Sequence, residues 1–358
     1  MSSMLQRARE FVVRGAGLGL ALCAIGWTAC DRAEFSTQNT QKGEEPGASS
    51  LSGGAPPQTL IQRMTDARQQ HAFQGIRRVE LHFEESGEPR TVELRERVSS
   101  NGQGQFALEA LEVIQPQMSV GQYSVFLSLQ SLRQGMNWRY RDFAIENLAL
   151  FQQNYRFIDT GATGEVAGFP TQEFRVERID GSGSIHLLSV ETVTGLVLAA
   201  REQDAEGQLI SAMDFDSFAL APDLSAVAWH QRINDEQPLP VVGTVAAQIG
   251  FEPRSPRTLP AGFQLVERGR LVDPTDQSTW VKATYSDGLE CIFFLHGGPI
   301  ISDNGIRSGV PEIKADLVEV AVAAPWVVAR GNLRGERVLV LGKVPEQELL
   351  GMLRSAME

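Results

Sequence analysis

The sequence predicts an α+β protein built from two successive antiparallel β units, the first a broad twisted sheet with helices on one face. Three observations carry this. Turn signals recur roughly every 12 residues between Phe174 and Phe218, separating short runs with apolar residues at alternate positions. Asp287-Gly288 stands between two β-rich runs, residues 280–285 and 289–295. Both residue types tolerate the positive φ of a tight hairpin. Pro345, with Glu346 and Glu348 behind it and Leu349, Leu350 and Leu353 on one face, has the form of a helix start. That helix closes the second, smaller sheet.

Composition narrows the function classes. The 358 residues give room for two ordinary domains or one large one with a real core. Net charge −12 argues against nucleic-acid binding, which needs a basic face. Three cysteines cannot build a disulfide framework.

The elements follow in chain order. Residues 1–29 read as an export signal. Arg7, Arg9 and Arg14 precede a 13-residue apolar core, GAGLGLALCAIGW, too short to span a bilayer well. Thr28-Ala29 and then Cys30 follow, and here the segment resembles a bacterial lipoprotein signal, with Trp27 in place of the usual aliphatic residue. The resemblance implies that Cys30 is lipidated at the N-terminus of the mature chain. An ordinary cleaved signal with an incidental cysteine is the alternative. Several acyl chains anchor durably where one binds only marginally. Removal of residues 1–29 leaves 29 basic and 43 acidic side chains, net −14, so anionic membrane surfaces repel the body and attachment falls to the lipid. Asp31 after the cysteine slightly favours the inner-membrane face. Residues 30–57, rich in Ser, Gly, Pro, Thr and Glu, cannot bury enough apolar surface to order themselves. They form a tether with a reach on the order of 25–30 Å.

The body begins with an amphipathic helix, in which Leu60, Ile61, Met64 and Ala67 recur at helical spacing. The period then changes to two. Val79, Leu81 and Phe83 alternate with polar residues, a Glu-Ser-Gly-Glu-Pro turn follows, and Val92 and Leu94 resume. Ile145, Leu148 and Leu150 predict a short helix leading into a strand. The meander comes next, with Phe174 and Val176, residues 185–190, Leu196 and Leu198, and residues 209–218 as its strands, Met213 and Phe215 sharing one face. Four prolines between residues 230 and 257 mark a linker. Residues 318–322, 326–329 and 337–341 supply further strands of the second unit.

Catalytic chemistry finds no motif. The five histidines are scattered, and no HxH, HExxH, CxxC or GxSxG spacing occurs. His82 and His186 fall within strands, and Cys291 lies alone in an apolar run, where thiols behave as small hydrophobes. His296-Gly297-Gly298 has the look of an oxyanion loop without a nucleophile, and is read as a turn after the strand. No metal, cofactor or enzyme activity is expected. What remains is a binding surface. An open curved sheet can form an apolar groove, with Phe83, Leu94, Met213 and Phe215 as lining, or the same residues can make a sealed core.

Residues 154–218, NYRFIDTGATGEVAGFPTQEFRVERIDGSGSIHLLSVETVTGLVLAAREQDAEGQLISAMDFDSF, resemble the large domain of the RseB/MucB family of periplasmic stress-response regulators. A V-A-G-x-P approach and a strand after a D/E-x-x-T-G-L turn carry the likeness. LPAGFQLVERG, TYSDGLECIFF and RVLVLGKVPEQELLGML are similar to that family's small domain. The meander alone is shared with lipoprotein carriers of the LolA/LppX type. The resemblance implies a large domain folded as an unclosed antiparallel β-barrel with helices in its concavity, over residues 58–235, a linker over 236–258 and a smaller α+β domain over 259–358.

It also implies a function. Family members bind the periplasmic part of a membrane-spanning anti-sigma factor and shield it from proteolysis, and lipid or lipoprotein signals relieve the block. The small domain supplies much of that contact, which makes Leu259, Pro260, Gly262, Phe263, Tyr285, Asp287 and Gly288 candidate partner contacts. They are equally candidates for structural turns. The alternative function is a periplasmic lipid or lipoprotein carrier. An uncharacterised hydrolase is the third class. Residues 103–154 depart most from the family.

Overall fold

The computed structural model describes residues 59–85, 88–116, 141–229, 237–241, 245–272, 278–297, 301–302, 305–306, 318–323, 326–333 and 336–357. Residues 1–58, which include the segments read as export signal and tether and Cys30, and much of the 103–154 segment lie outside them. Among the described residues no helix is long and apolar enough to cross a membrane.

The chain opens with helix α1 (Leu60–Gln70), whose Thr59 hydroxyl accepts from Gln62 N at 3.3 Å, the cap that Thr favours. Strands β1 (Ala72–Glu85), β2 (Glu88–Asn101) and β3 (Phe106–Gln115) follow as a meander. Helix α2 (Leu148–Asn154), capped by the Asn147 side chain on Leu150 N, runs directly into β4 (Tyr155–Val166). Strands β5 (Phe169–Arg178), β6 (Ile185–Val190), β7 (Val197–Gln203) and β8 (Leu209–Leu220) complete the first sheet.

All its pairs are antiparallel, in the order β3-β2-β1-β8-β7-β6-β5-β4. Return of β8 to pair with β1 joins the two meanders, and β3 and β4 remain as separate edges. The sheet is therefore unclosed. Its inner face follows the period of two: His186, Leu188 and Val190 on β6 are buried while their neighbours are half-exposed. Helix α1 packs on this face through Met64 and Ala67.

Among the described residues the second sheet has seven strands, in the order β15-β16-β17-β12-β11-β10-β9. These are β9 (Gln237–Pro238), β10 (Gln264–Val272), β11 (Thr279–Ser286), β12 (Cys291–Gly297), β15 (Glu319–Ala323), β16 (Trp326–Leu333) and β17 (Glu336–Gly342). A separate pair, β13 (Ile301–Ser302) with β14 (Gly305–Ile306), follows β12. A short helix α3 (Ala246–Ile249) precedes β10, and α4 (Glu346–Met357) closes one face. Leu349, Met352, Leu353 and Ala356 of α4 meet Phe263, Tyr285, Ile292, Phe294, Val338 and Val340. Each fully buried Leu or Phe contributes about 1.5–3 kcal/mol, so this layer fixes the small unit. On the same face of β11, where Val281 alternates with Ala283 and Tyr285, the proline-rich stretch adds Leu239, Val245, Ile249 and Phe251 around Val281.

One expectation needs correction. His296 and Gly297 belong to β12 itself, and His296 is fully buried, with Nδ1 accepting from Arg254 N at 2.9 Å and Nε2 lying 3.2 Å from Glu336. The ring is a structural partner of the packed linker, and Gly298 lies outside the described residues. Carboxylates that form no motif in the sequence are paired in space. On the inner face of the large sheet Arg77 contacts Glu96 at 2.6 Å and Asp142 at 2.8 Å, and Arg141 pairs with both acids. Burial opposes the Glu96 charge, but Arg141 and Arg77 outweigh it and hold its carboxyl below the usual range.

Candidate functional site at the junction of the two sheets

The β11–β12 hairpin does not end in solvent. Its turn, residues 287–290, enters the large unit between α2 and the inner face of the sheet. Leu289 joins Met64, Ile145, Phe151, Tyr155, Phe174 and Leu188 in one buried cluster. Asp287 is 1% exposed and divides its carboxylate between two tasks. Oδ1 accepts from Leu289 N at 3.1 Å and Glu290 N at 2.9 Å, which builds the turn. Oδ2 accepts from the Tyr155 hydroxyl at 2.6 Å and from Arg178 Nη1 at 2.8 Å, which fastens the turn to β4 and β5. Arg178 Nη2 reaches on to Ala261 O at 2.9 Å. Burial pushes the Tyr155 hydroxyl well above its ordinary pKa, and the Asp287 carboxylate adds to the shift, so it stays a donor.

Backbone contacts complete the joint. Glu146 N and Asn147 N donate to Gly288 O at 2.9 and 3.2 Å. Asn154 Nδ2 donates to Asp287 O at 2.9 Å and Gly262 O at 3.2 Å. Gly288 has φ +105, and a Cβ there would meet Phe151 N at 2.2 Å, so both conformation and space require glycine. At Gly262, φ +82, a Cβ would come within 2.8 Å of Asn154 Oδ1.

Beside the turn lies a charged group. Lys343 Nζ, just past β17, stands 3.2 Å from Glu202 on β7 and 3.3 Å from Glu290 on the turn. His186, directly opposite Glu202 in the β6–β7 register, lines the same cavity of about 30 Å³. That volume has room for one or two water molecules. Burial works against the Lys343 ammonium, yet the two carboxylates hold its pKa above the ordinary lysine value. Burial also opposes ionisation of Glu202, but Lys343 and His186 bring its carboxyl down to about 2. Burial of the His186 ring lowers it to about 4, so it is neutral at pH 7. His186, Glu202 and Glu290 each offer a ligand atom within 4.8 Å of the others. Lys343 supplies a cation between the two carboxylates, which makes the group a salt-bridged joint.

The candidate partner contacts separate by place. Asp287, Gly288 and Gly262 touch the large unit. Phe263 and Tyr285 lie in the core under α4, Leu259 packs half-buried against that core, and Pro260 O accepts from Phe263 N at 3.2 Å. The candidate groove residues Leu94, Met213 and Phe215 share one buried cluster with Ala67 of α1, whereas Phe83 is half-buried and outside it. Sequence reading missed Tyr155, Arg178, Asn154, Glu202, Glu290 and Lys343. One signal was available: Glu202 continues the inward positions of Leu198 and Ala200, and His186 precedes those of Leu188 and Val190. A polar residue in an inward position needs a buried partner.

The chain matches the MucB/RseB N-terminal domain over residues 56–233. Among solved structures, the Pseudomonas aeruginosa MucA/MucB complex is similar at 19% identity, covering 84% of this chain and 96% of that one, with a TM-score of 0.47. MucB in complex with MucA(peri) follows at 17% identity, 83% and 96% coverage and a TM-score of 0.46. MucB by itself is similar at 18% identity, 83% and 95% coverage and a TM-score of 0.44. No curated protein matches.

Proposed function

We propose, for a chain that belongs to the MucB/RseB family through its residues 56–233, that it binds the periplasmic domain of a membrane-spanning anti-sigma factor. The match over residues 56–233 carries this reading. Related solved proteins support it, since MucB is captured with MucA(peri). In this reading the protein is a non-enzymatic, exported regulator that protects its partner from proteolysis, and lipid or lipoprotein signals relieve the block. Residues 58–235 act as the LolA-like large domain and 259–358 as the small one, joined by 236–258. Partner contact falls to surfaces next to Leu259 and Pro260, which the junction leaves half-buried. Amphiphiles would enter over Phe83 and separate α1 from Leu94, Met213 and Phe215.

Capture of the full chain from detergent-solubilised membranes tests the reading. A single-span membrane protein should copurify in near-equal amount, and recovery of lipid with no such protein would reject regulation in favour of the carrier. Cys30 is proposed to carry the lipid anchor on the periplasmic face of a membrane. Radioactive fatty acid should label the wild type and not Cys30→Ala, and equal labelling would remove the anchor.

A further inference from the structure

We propose that Glu290, Glu202, Lys343 and His186 form a proton-operated latch between the two units, in which Glu290 takes up a proton on docking and its ionisation loosens the joint. The proposal goes beyond partner binding and holds whether or not a partner is bound.

The geometry sets one ammonium against two carboxylates. Glu290 belongs to the turn that enters the large unit, Lys343 to the same small unit, and Glu202 and His186 to the inner face of the large sheet. Side-chain exposure is 17% for Glu290 and 6% for both Lys343 and Glu202, so water screens this group poorly. With both glutamates ionised, one negative charge is left uncompensated. The surrounding groups do not neutralise it. His186 is neutral, and the Tyr155 hydroxyl keeps its proton. Asp287 on the same turn is negative and engaged with Tyr155 and Arg178. Arg141 and Asp142 on the cavity wall pair with each other and with Glu96 and Arg77. Glu202 has the stronger hold on its charge, because Ser211 Oγ also donates to it at 3.0 Å. Glu290 is the group that yields. Burial pushes its carboxyl up to about 7; Lys343 opposes the rise, while Glu202 and Asp287 reinforce it.

The sign follows from linkage. Undocking returns Glu290 to water and to its ordinary value of 4.5. The docked state therefore binds the proton more tightly, and docking strengthens as pH falls through 7 and weakens as pH rises. Protonation of one carboxylate couples to the joint, with no other atom transferred. Between pH 6 and 8.5 the docked-to-undocked ratio should fall about tenfold, as linkage gives for one carboxyl that titrates at about 7 docked and at 4.5 in water.

Hydrogen exchange of the full chain at the Glu146 and Asn147 amides, corrected for the intrinsic pH dependence, reads the latch, because both donate to Gly288 O across the joint. Wild-type protection should drop about tenfold from pH 6 to 8.5. Glu290→Gln, permanently uncharged, should hold its protection constant over the same range. Lys343→Gln should move the wild-type midpoint upward, since the opposing cation is gone. Flat wild-type protection, a wild-type slope retained in Glu290→Gln, or a Lys343→Gln midpoint that stays or falls would each overturn the latch. The wild-type and Lys343→Gln profiles decide the matter even where Glu290→Gln does not fold.

Discussion

Gly288→Ala should cost about 3 kcal/mol or more of unfolding free energy and unseat the hairpin from the large unit. Two causes add. At φ +105 a side chain is strained whatever the space around it. The new methyl would also lie 2.2 Å from Phe151 N, and backbone in a capped helix cannot step aside as a flexible side chain can. Relief requires the turn to withdraw, which uncovers Leu289 and breaks the bonds from Glu146 N and Asn147 N to Gly288 O. Urea unfolding should show the loss as a lower midpoint, with protection lost first at those two amides. A midpoint equal to wild type would mean that the turn is not seated as described.

Asp287→Ala should be comparably severe, about 3–5 kcal/mol, because it removes one partner of a buried pair and leaves the other behind. The Tyr155 hydroxyl and Arg178 Nη1 would lose their shared acceptor inside the joint, and Leu289 N and Glu290 N would lose the bonds that build the turn. The two contributions can be separated. In a double-mutant cycle with Arg178→Met, the combined loss should be less than the sum, since Arg178 has no buried acceptor to miss once Asp287 is gone. Strict additivity would show that the ion pair does not couple the units.

These positions explain what the sequence made legible and what it did not. The meander was readable because its buried residues keep strict alternation, as in His186, Leu188 and Val190, and because each turn carries Gly or Asp. Strand β3 was not readable. Its register against β2 slips twice, between Glu93 and Leu94 and between Arg95 and Glu96, and each bulge shifts the apolar phase of FALEALEVIQ. Strand β10 was hidden for the same reason, with a slip between Leu265 and Glu267 and glycine and arginine at its centre.

The junction was only partly legible, for a different reason. Asp-Gly identified the hairpin correctly, but a tight turn made of polar residues has the composition of a solvent-exposed loop. Its burial depends on α2 and β4, far away in the chain, and no local pattern encodes that. Lys343 likewise looks like an exposed helix-flanking lysine until Glu202 and Glu290 are placed around it. Charged groups that meet only through tertiary contacts leave no periodicity to detect.

Calorimetric titration of the purified chain with the periplasmic segment of a single-span anti-sigma protein from the same organism tests anti-sigma binding most directly. Saturable one-to-one binding with Kd in the micromolar range or tighter, about −8 kcal/mol or more favourable, is the predicted result. Absence of binding at about 100 µM segment, with the chain folded by its own unfolding transition, would contradict it.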